Sequence, residues 1–110
     1  MGEVVIAVYR PKDGRGGELL DLVRRHVPTL REEGLATDRP VLLLRHPGDG
    51  SVLEIFEWVG ARSADAAHRN PRVQSIWEAM GRVADFGTLA ALPGANQPFG
   101  HFEPLDGVVA

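Results

Sequence analysis

The stretch VVIAVY, at residues 4–9, is apolar at every position and is followed by Arg10 and Pro11. A short run that is rich in β-branched residues and ends at a proline predicts a β-strand. In a sheet that has one face in water, every second side chain would be polar. Because residues 4–9 are apolar at both parities, the sequence predicts a strand that is buried on both faces.

The other predicted strands share this property. Residues 41–44 (VLLL) are uniformly apolar, and residues 52–59 (VLEIFEWV) carry large apolar side chains at both parities. An exposed apolar face of this area exceeds the few hundred Å² that soluble monomers usually show. Burying about 500 Å² of it per subunit contributes on the order of 12 kcal/mol before association costs are subtracted. We therefore expect a homodimer whose sheets pack face to face.

Helical spacing separates these strands. From Glu18 to Gly34 the apolar residues recur every three or four positions, which predicts a helix, with a kink or a division into two pieces at Pro28. The turn-rich segment HPGDGS, at residues 46–51, predicts a hairpin between the second and third strands. The first half of the chain is therefore β-α-β-β.

The second half adds a helical region and one strand. Ser63 is predicted to cap a short helix, and Asn70 with Pro71 to start a longer one whose apolar face includes Trp77. A weak fourth strand is expected at residues 86–92. The complete order, β-α-β-β-α-β, is that of the ferredoxin-like split motif, an α+β fold in which two helices cover one face of an antiparallel four-stranded sheet.

The length of 110 residues predicts one domain. Its core is expected at roughly residues 3–92, and residues 93–110 are expected to form an ordered C-terminal arm carrying Phe99, Phe102 and Leu105.

The composition excludes several classes of function. The chain has no cysteine and a net charge of −3 with scattered arginines, so thiol chemistry is excluded and nucleic-acid binding is disfavoured. The sequence contains no signal peptide and no membrane span, and we expect a cytoplasmic protein. The histidines lack metal-ligand spacing, and KDGRGG, at residues 12–17, does not match a phosphate-binding loop.

Four segments together resemble a known family: VVIAVYRP, HVPTLREEGL, EIFEWV and AHRNPRVQSIWEAM. The likeness spans roughly residues 3–92 and is to the dimeric α/β barrel superfamily, in its antibiotic biosynthesis monooxygenase-like branch. This resemblance implies two subunits that pack their sheets into a barrel, and a pocket in each subunit between sheet and helices. Members include cofactor-free oxygenases of polycyclic phenols, heme-degrading enzymes and proteins without known activity.

The resemblance also argues against a cofactor. Heme-degrading relatives place an asparagine on the first strand and a tryptophan and a histidine on the second helix. Here residues 4–9 contain no asparagine, and Ala67 and Trp77 stand at the two helical places. Stress-responsive relatives carry a histidine on the first strand, and residues 4–9 contain none. We therefore expect neither heme nor a metal.

His68 and Glu54 are the catalytic candidates. A neutral imidazole at residue 68 is able to accept a proton from a phenol, although the residue also fits an exposed helix end. Glu54 and Glu57 lie at opposite parity on one strand, so one of them is expected in a buried space, as a base or paired with an arginine such as Arg45 on the neighbouring strand. The ion pair is the favoured interpretation.

The ligand-binding candidates are Tyr9, Trp58, Asn70 and Trp77. The rings are able to stack on or orient an aromatic ligand, but Trp58 and Trp77 equally fit the core, and Asn70 fits a helix cap. Two hypotheses follow. One is a homodimer that binds a phenolic molecule between sheet and helices and oxidises it without a cofactor. The other is a ligand-binding or assembly module without enzymatic activity.

Overall fold

The structure is a computed structural model that describes residues 2–105. Its elements in chain order are β1 (Glu3–Pro11), α1 (Gly16–Glu32), β2 (Leu42–Arg45), β3 (Val52–Trp58), α2 (Ser63–His68), α3 (Pro71–Val83), β4 (Ala84–Gly87), a 3-10 turn (Leu89–Ala91) and β5 (Glu103–Pro104). The predicted α+β class is confirmed. Over residues 2–105, no helix has the length and apolar character needed to cross a membrane.

All strands belong to one antiparallel sheet in the order β4-β1-β3-β2-β5. The predicted hairpin is confirmed, because β2 pairs with β3 from Leu42↔Ile55 to Arg45↔Val52. The prediction of four strands is wrong, since the sheet has five strands within residues 2–105. The additional strand, β5, comes from the C-terminal segment and lies along the edge of β2. A strand of two residues is too short to leave a periodic signal in the sequence. Whether it forms depends on where the C-terminal segment returns to the sheet.

Helix α1 continues through Pro28 as one element, so a division into two pieces is not observed. Proline removes one backbone donor from a helix. Val27 and Leu30, on either side of it, are 1% and 0% exposed. Their burial against the sheet outweighs the lost hydrogen bond, because burying such a side chain contributes about 1.5–3 kcal/mol.

Two local predictions in the second half need correction. Ser63 is the first residue of α2, not its cap, and its hydroxyl accepts a hydrogen bond from the backbone N–H of Gly60 at 3.1 Å. The fourth strand is Ala84–Gly87 instead of residues 86–92. The backbone becomes extended directly at the end of α3, and Ala84 pairs with Pro11 there. Tertiary pairing therefore begins the strand earlier than the apolar pattern indicates.

The helices cover one face of the sheet. The register Val5↔Phe56 and Ala7↔Glu54 places the odd-numbered residues of β1 and the even-numbered residues of β3 on this face. The parity that faces the helices could not be read from the sequence, because both parities are apolar. The core between sheet and helices includes Leu19, Val23, Val27, Leu30, Leu43, Phe56, Val73 and Met80.

The opposite side of the sheet is called the outer face below; it carries Val4, Ile6, Val8, Leu42, Leu44, Leu53 and Ile55. The C-terminal segment covers part of it, because Leu92 and Phe102 pack with Val8, Leu53 and Leu44. The next row across the sheet, Ile6, Ile55 and Leu42, is more open, and Ile6 and Leu42 are 46% and 49% exposed. One chain therefore buries only part of its two-sided apolar sheet.

Only part of the C-terminal segment packs against the rest of the domain. Phe102 and Leu105 pack against the hydrophobic clusters of the domain, whereas Phe99 is 83% exposed. The last part of the expected arm, residues 106–110, lies outside the described residues.

Candidate functional site

A cavity of about 310 Å³ lies between the sheet and the helices. Strands β1, β3 and β4 and all three helices contribute to its wall, which consists of Val5, Ala7, Val8, Tyr9, His26, Phe56, Trp58, His68, Trp77, Phe86 and Gly87. Another depression, of about 420 Å³, is lined by α1 and α3 residues that include Arg25, Thr29 and Arg72. Volume alone therefore does not identify a site, but an aromatic wall suits an apolar ligand.

A chain of hydrogen bonds runs beside this cavity, and we call it the Glu54 network. The hydroxyl of Tyr9 donates to Glu54 Oε1 at 2.7 Å. Nδ1 of His26 lies 2.9 Å from the same oxygen, and Nε1 of Trp77 donates to His26 Nε2 at 2.8 Å. The network thus joins β1, β3, α1 and α3 through four side chains, of which Tyr9, His26 and Trp77 also line the cavity.

The hydrogen bonds determine which nitrogen of His26 carries the proton. An indole N–H can only donate, so His26 Nε2 must be the acceptor. The ring proton is therefore on Nδ1, where it is donated to the Glu54 carboxylate. This arrangement of a carboxylate behind an imidazole orients the ring and sets its tautomer.

Glu54 is 0% exposed, which is unusual for a glutamate. Its Oε1 receives two hydrogen bonds, whereas its Oε2 is buried and has no partner among residues 2–105. Charged groups are costly to bury unless they are paired and hydrogen-bonded. A buried polar group that keeps an unmet acceptor beside a cavity is typical of functional sites.

The favoured interpretation, an ion pair between the buried glutamate of β3 and an arginine such as Arg45, is wrong, because the buried Glu54 bonds to Tyr9 and His26. Arg45 contacts Glu103 of β5 at 3.3 Å instead. The second glutamate of β3, Glu57, has the opposite parity and bonds to Thr37 at 2.8 Å and Arg39 at 3.2 Å. Arg45 and Glu54 are not even directly paired across the strands, since Arg45 stands opposite Val52.

The structure places the other predicted residues in different positions. Tyr9, Trp58, His68 and Trp77 line the cavity. The rings of His68 and Trp77 meet edge to face with centroids 4.9 Å apart. Asn70 is not part of the wall. Its side chain accepts from the N–H groups of Arg72 and Val73 and donates to Glu33, so its predicted role as a helix cap is confirmed.

His26 is a site residue that was not predicted from the sequence. A signal was present, because the residue lies on the buried face of α1 beside Val23, Val27 and Leu30, and it is only 2% exposed. A histidine within an apolar helical stripe needs a buried hydrogen-bond partner. The sequence alone could not identify that partner, since Glu54 is 28 residues and Trp77 is 51 residues away.

Alkaline titration of Tyr9 tests the Glu54 network. Burial, followed by the charge of Glu54 and its hydrogen bond, raises the pKa of Tyr9 well above the ordinary value of 10.0. Above that pH the unfolded chain loses a proton that the folded chain keeps, so we expect the free energy of unfolding to fall as pH rises. The slope from this group is at most about 1.4 kcal/mol per pH unit, and the contribution is fully present below pH 10.

Tyr9 is the only tyrosine in the chain, so tyrosinate absorbance reports on it directly. Urea unfolding at a series of alkaline pH values, for the natural protein and for Tyr9→Phe, measures the stability slope. The variant is expected to lose less stability over this range. An ordinary titration midpoint in the folded protein would contradict the buried hydrogen bond to Glu54.

Comparison of the chain with family models, with curated proteins and with solved structures found no match.

Proposed function

We propose that this protein binds a small, largely apolar aromatic molecule in the cavity between sheet and helices. The observation that carries the proposal is the wall itself, which combines Phe56, Trp58, Trp77 and Phe86 with Tyr9 and His68. Ligand pockets of this size are typically apolar with a few convergent polar groups. Aromatic rings also favour edge-to-face or offset packing with a ligand ring.

The proposed reaction is cofactor-free oxidation of a phenol, as the resemblance to antibiotic biosynthesis monooxygenases implies. His68 is the proposed proton acceptor, because its ring lies at the cavity and its nitrogens take part in none of the side-chain hydrogen bonds found over residues 2–105. The phenolate then reduces O₂. One ring C–H bond and the O–H bond break, one oxygen atom becomes a ring carbonyl, and the other leaves as water. One phenol and one O₂ thus yield one quinone and one water.

The proposed assembly is a homodimer of ferredoxin-like subunits that pack their outer faces into a dimeric α/β barrel. Support comes from the exposed row of Ile6 and Leu42 and from Val4, which is 57% exposed. The cavity lies on the helix side of the sheet, so each subunit would keep its own site. The proposed location of the protein is the cytoplasm.

Binding without turnover is the second candidate function. The hydrogen bonds of His26 favour this candidate. One ring nitrogen of His26 is bonded to Glu54 and the other to Trp77, so neither is free to take a proton from a ligand. In this case the Glu54 network only holds β3, α1 and α3 together. The two functions differ in oxygen consumption, not in ligand affinity.

Replacing His68 with alanine tests the reaction. We expect turnover of a bound phenol to fall by about a hundredfold or more, because general-base catalysis contributes about 10²–10⁴-fold. Oxygen uptake with 2-naphthol as the trial substrate measures the rate, and calorimetry measures binding. The matched control is His101→Ala, at an exposed position outside the cavity.

The outcomes separate the candidates. If the natural protein binds 2-naphthol and consumes no oxygen with it or with larger polycyclic phenols, binding without turnover is correct. Unchanged turnover in His68→Ala would remove this residue from the mechanism. A protein that binds none of these molecules would overturn the proposed function.

A further inference from the structure

We propose that Glu54 makes the end of the cavity at Tyr9 and His26 accept hydrogen bonds only, so that this end selects a ligand hydroxyl or N–H donor over an acceptor-only or anionic group. This inference rests on the proposed function, because it concerns the ligand of the same cavity. It assigns the selectivity to Tyr9 and Glu54 in particular.

The hydrogen bonds of the Glu54 network use the protons of both Tyr9 and His26. Glu54 Oε1 takes the proton of the Tyr9 hydroxyl at 2.7 Å and the Nδ1 proton of His26 at 2.9 Å. An ionised carboxylate can only accept hydrogen bonds, so both neighbours must donate to it. Tyr9 and His26 therefore have no proton left to offer to a ligand.

Acceptor capacity remains on the cavity side of the Glu54 network. The Nε2 lone pair of His26 is occupied by the indole N–H of Trp77 at 2.8 Å. The hydroxyl oxygen of Tyr9 still has acceptor capacity, and none of the hydrogen bonds formed by residues 2–105 uses it. At this end of the cavity we therefore assign Tyr9 Oη as the acceptor for a ligand donor, in addition to the ring of His68 elsewhere in the wall.

Charge acts in the same direction. The cavity wall contains no lysine or arginine among the described residues. Behind the wall, the buried Glu54 keeps one oxygen, Oε2, without a partner. A ligand carboxylate would therefore enter a poorly solvated space beside a like charge, with no lysine or arginine to compensate. A phenolate formed by proton transfer to His68 differs, because it is paired with the imidazolium that the transfer creates. A hydroxyl or an N–H group avoids this cost.

Two probe pairs that match in shape and differ in donor capacity test the inference. These are 2-naphthol with 2-methoxynaphthalene, and indole with benzofuran, each titrated at neutral pH by calorimetry. We expect the donor of each pair to bind about tenfold more tightly or better, since an unmatched polar group costs about 1–3 kcal/mol when buried. The anion 2-naphthoate is expected to bind more weakly than 2-naphthol by a larger factor.

Variants assign the effect to residues. Tyr9→Phe removes the acceptor at this end of the cavity, so the preference for 2-naphthol over its methyl ether is expected to fall clearly below that of the natural protein. Glu54→Gln removes the charge, so 2-naphthoate is expected to gain affinity relative to the natural protein. Glu57→Gln is the matched control, because this residue is on the same strand at the opposite parity and lies outside the cavity wall.

The results distinguish this inference from the proposed function. Donor and acceptor probes that bind equally well would overturn the selectivity while leaving the aromatic cavity in place. A preference for 2-naphthol over its methyl ether that is undiminished in Tyr9→Phe would overturn the role of Tyr9. If none of the probes binds, the proposed function fails, and the selectivity fails with it. Should Glu54→Gln not fold, Tyr9→Phe alone decides.

Discussion

Replacing Glu54 with alanine is expected to lower the free energy of unfolding by about 3 kcal/mol. The carboxylate is completely buried, and its Oε1 is the acceptor for both Tyr9 and His26. Without it, two buried donors lose their partner, each at about 1–3 kcal/mol, and the truncated side chain leaves a void. One term opposes this, because the variant no longer buries a charge. We expect the two orphaned donors and the void to outweigh that relief.

Urea unfolding at one fixed protein concentration measures this effect, since the stability of a dimer depends on concentration. The control is Glu57→Ala. Glu57 bonds to Thr37 and Arg39, and its side chain is 16% exposed, so we expect a loss below about 1 kcal/mol. A double-mutant cycle with Tyr9→Phe isolates the hydrogen bond between the two residues. If Glu54→Ala is as stable as the natural protein, the Glu54 network contributes no net stability.

In the proposed homodimer, replacing Ile6 with lysine is expected to separate the two subunits. Ile6 is 46% exposed in a single chain and stands in one row with Ile55 and Leu42. In a two-fold interface the substituted residue occurs on both sides, so two ammonium groups would be buried in one apolar contact. A cost of about 4 kcal/mol, or roughly a thousandfold in the dissociation constant, follows from such like-charge burial.

Sedimentation equilibrium over a range of concentrations measures the association. The control is Ser75→Lys, which adds the same charge at an exposed position on α3, away from the outer face. The control is expected to remain dimeric. A natural protein that is monomeric at every concentration would contradict the dimer, and it would show that the row of Ile6 and Leu42 stays open to solvent.

Much of the secondary structure was predictable because its signals are local. The apolar run at residues 4–9 and the turn-rich residues 46–51 indicate a strand and a hairpin without reference to the rest of the chain. Asn70 before Pro71 marks the start of α3 by the same kind of local rule, and its side chain does cap that helix. The errors lie where pairing is non-local: β5 is two residues long, and β4 begins where α3 ends.

The site was predictable only in part. Tyr9, Trp58, His68 and Trp77 were named from their residue types and do line the cavity. Asn70 was named with them and does not line it, because a side chain that caps a helix is directed to backbone N–H groups. His26 was missed, because its role follows from hydrogen bonds to Glu54 and Trp77, which are far away in the sequence.

The sequence by itself determined that the strands are apolar on both faces and that the helices have one apolar side. Only the tertiary structure decided which parity of each strand meets the helices, and hence that Glu54 and not Glu57 is buried next to Tyr9 and His26. The physical reason is that alternation along a strand assigns the side chains to two faces. When both faces are apolar, this pattern does not indicate which of them packs against the helices. A face becomes the inner one through strand register and helix docking, which bring together residues 28 to 51 positions apart.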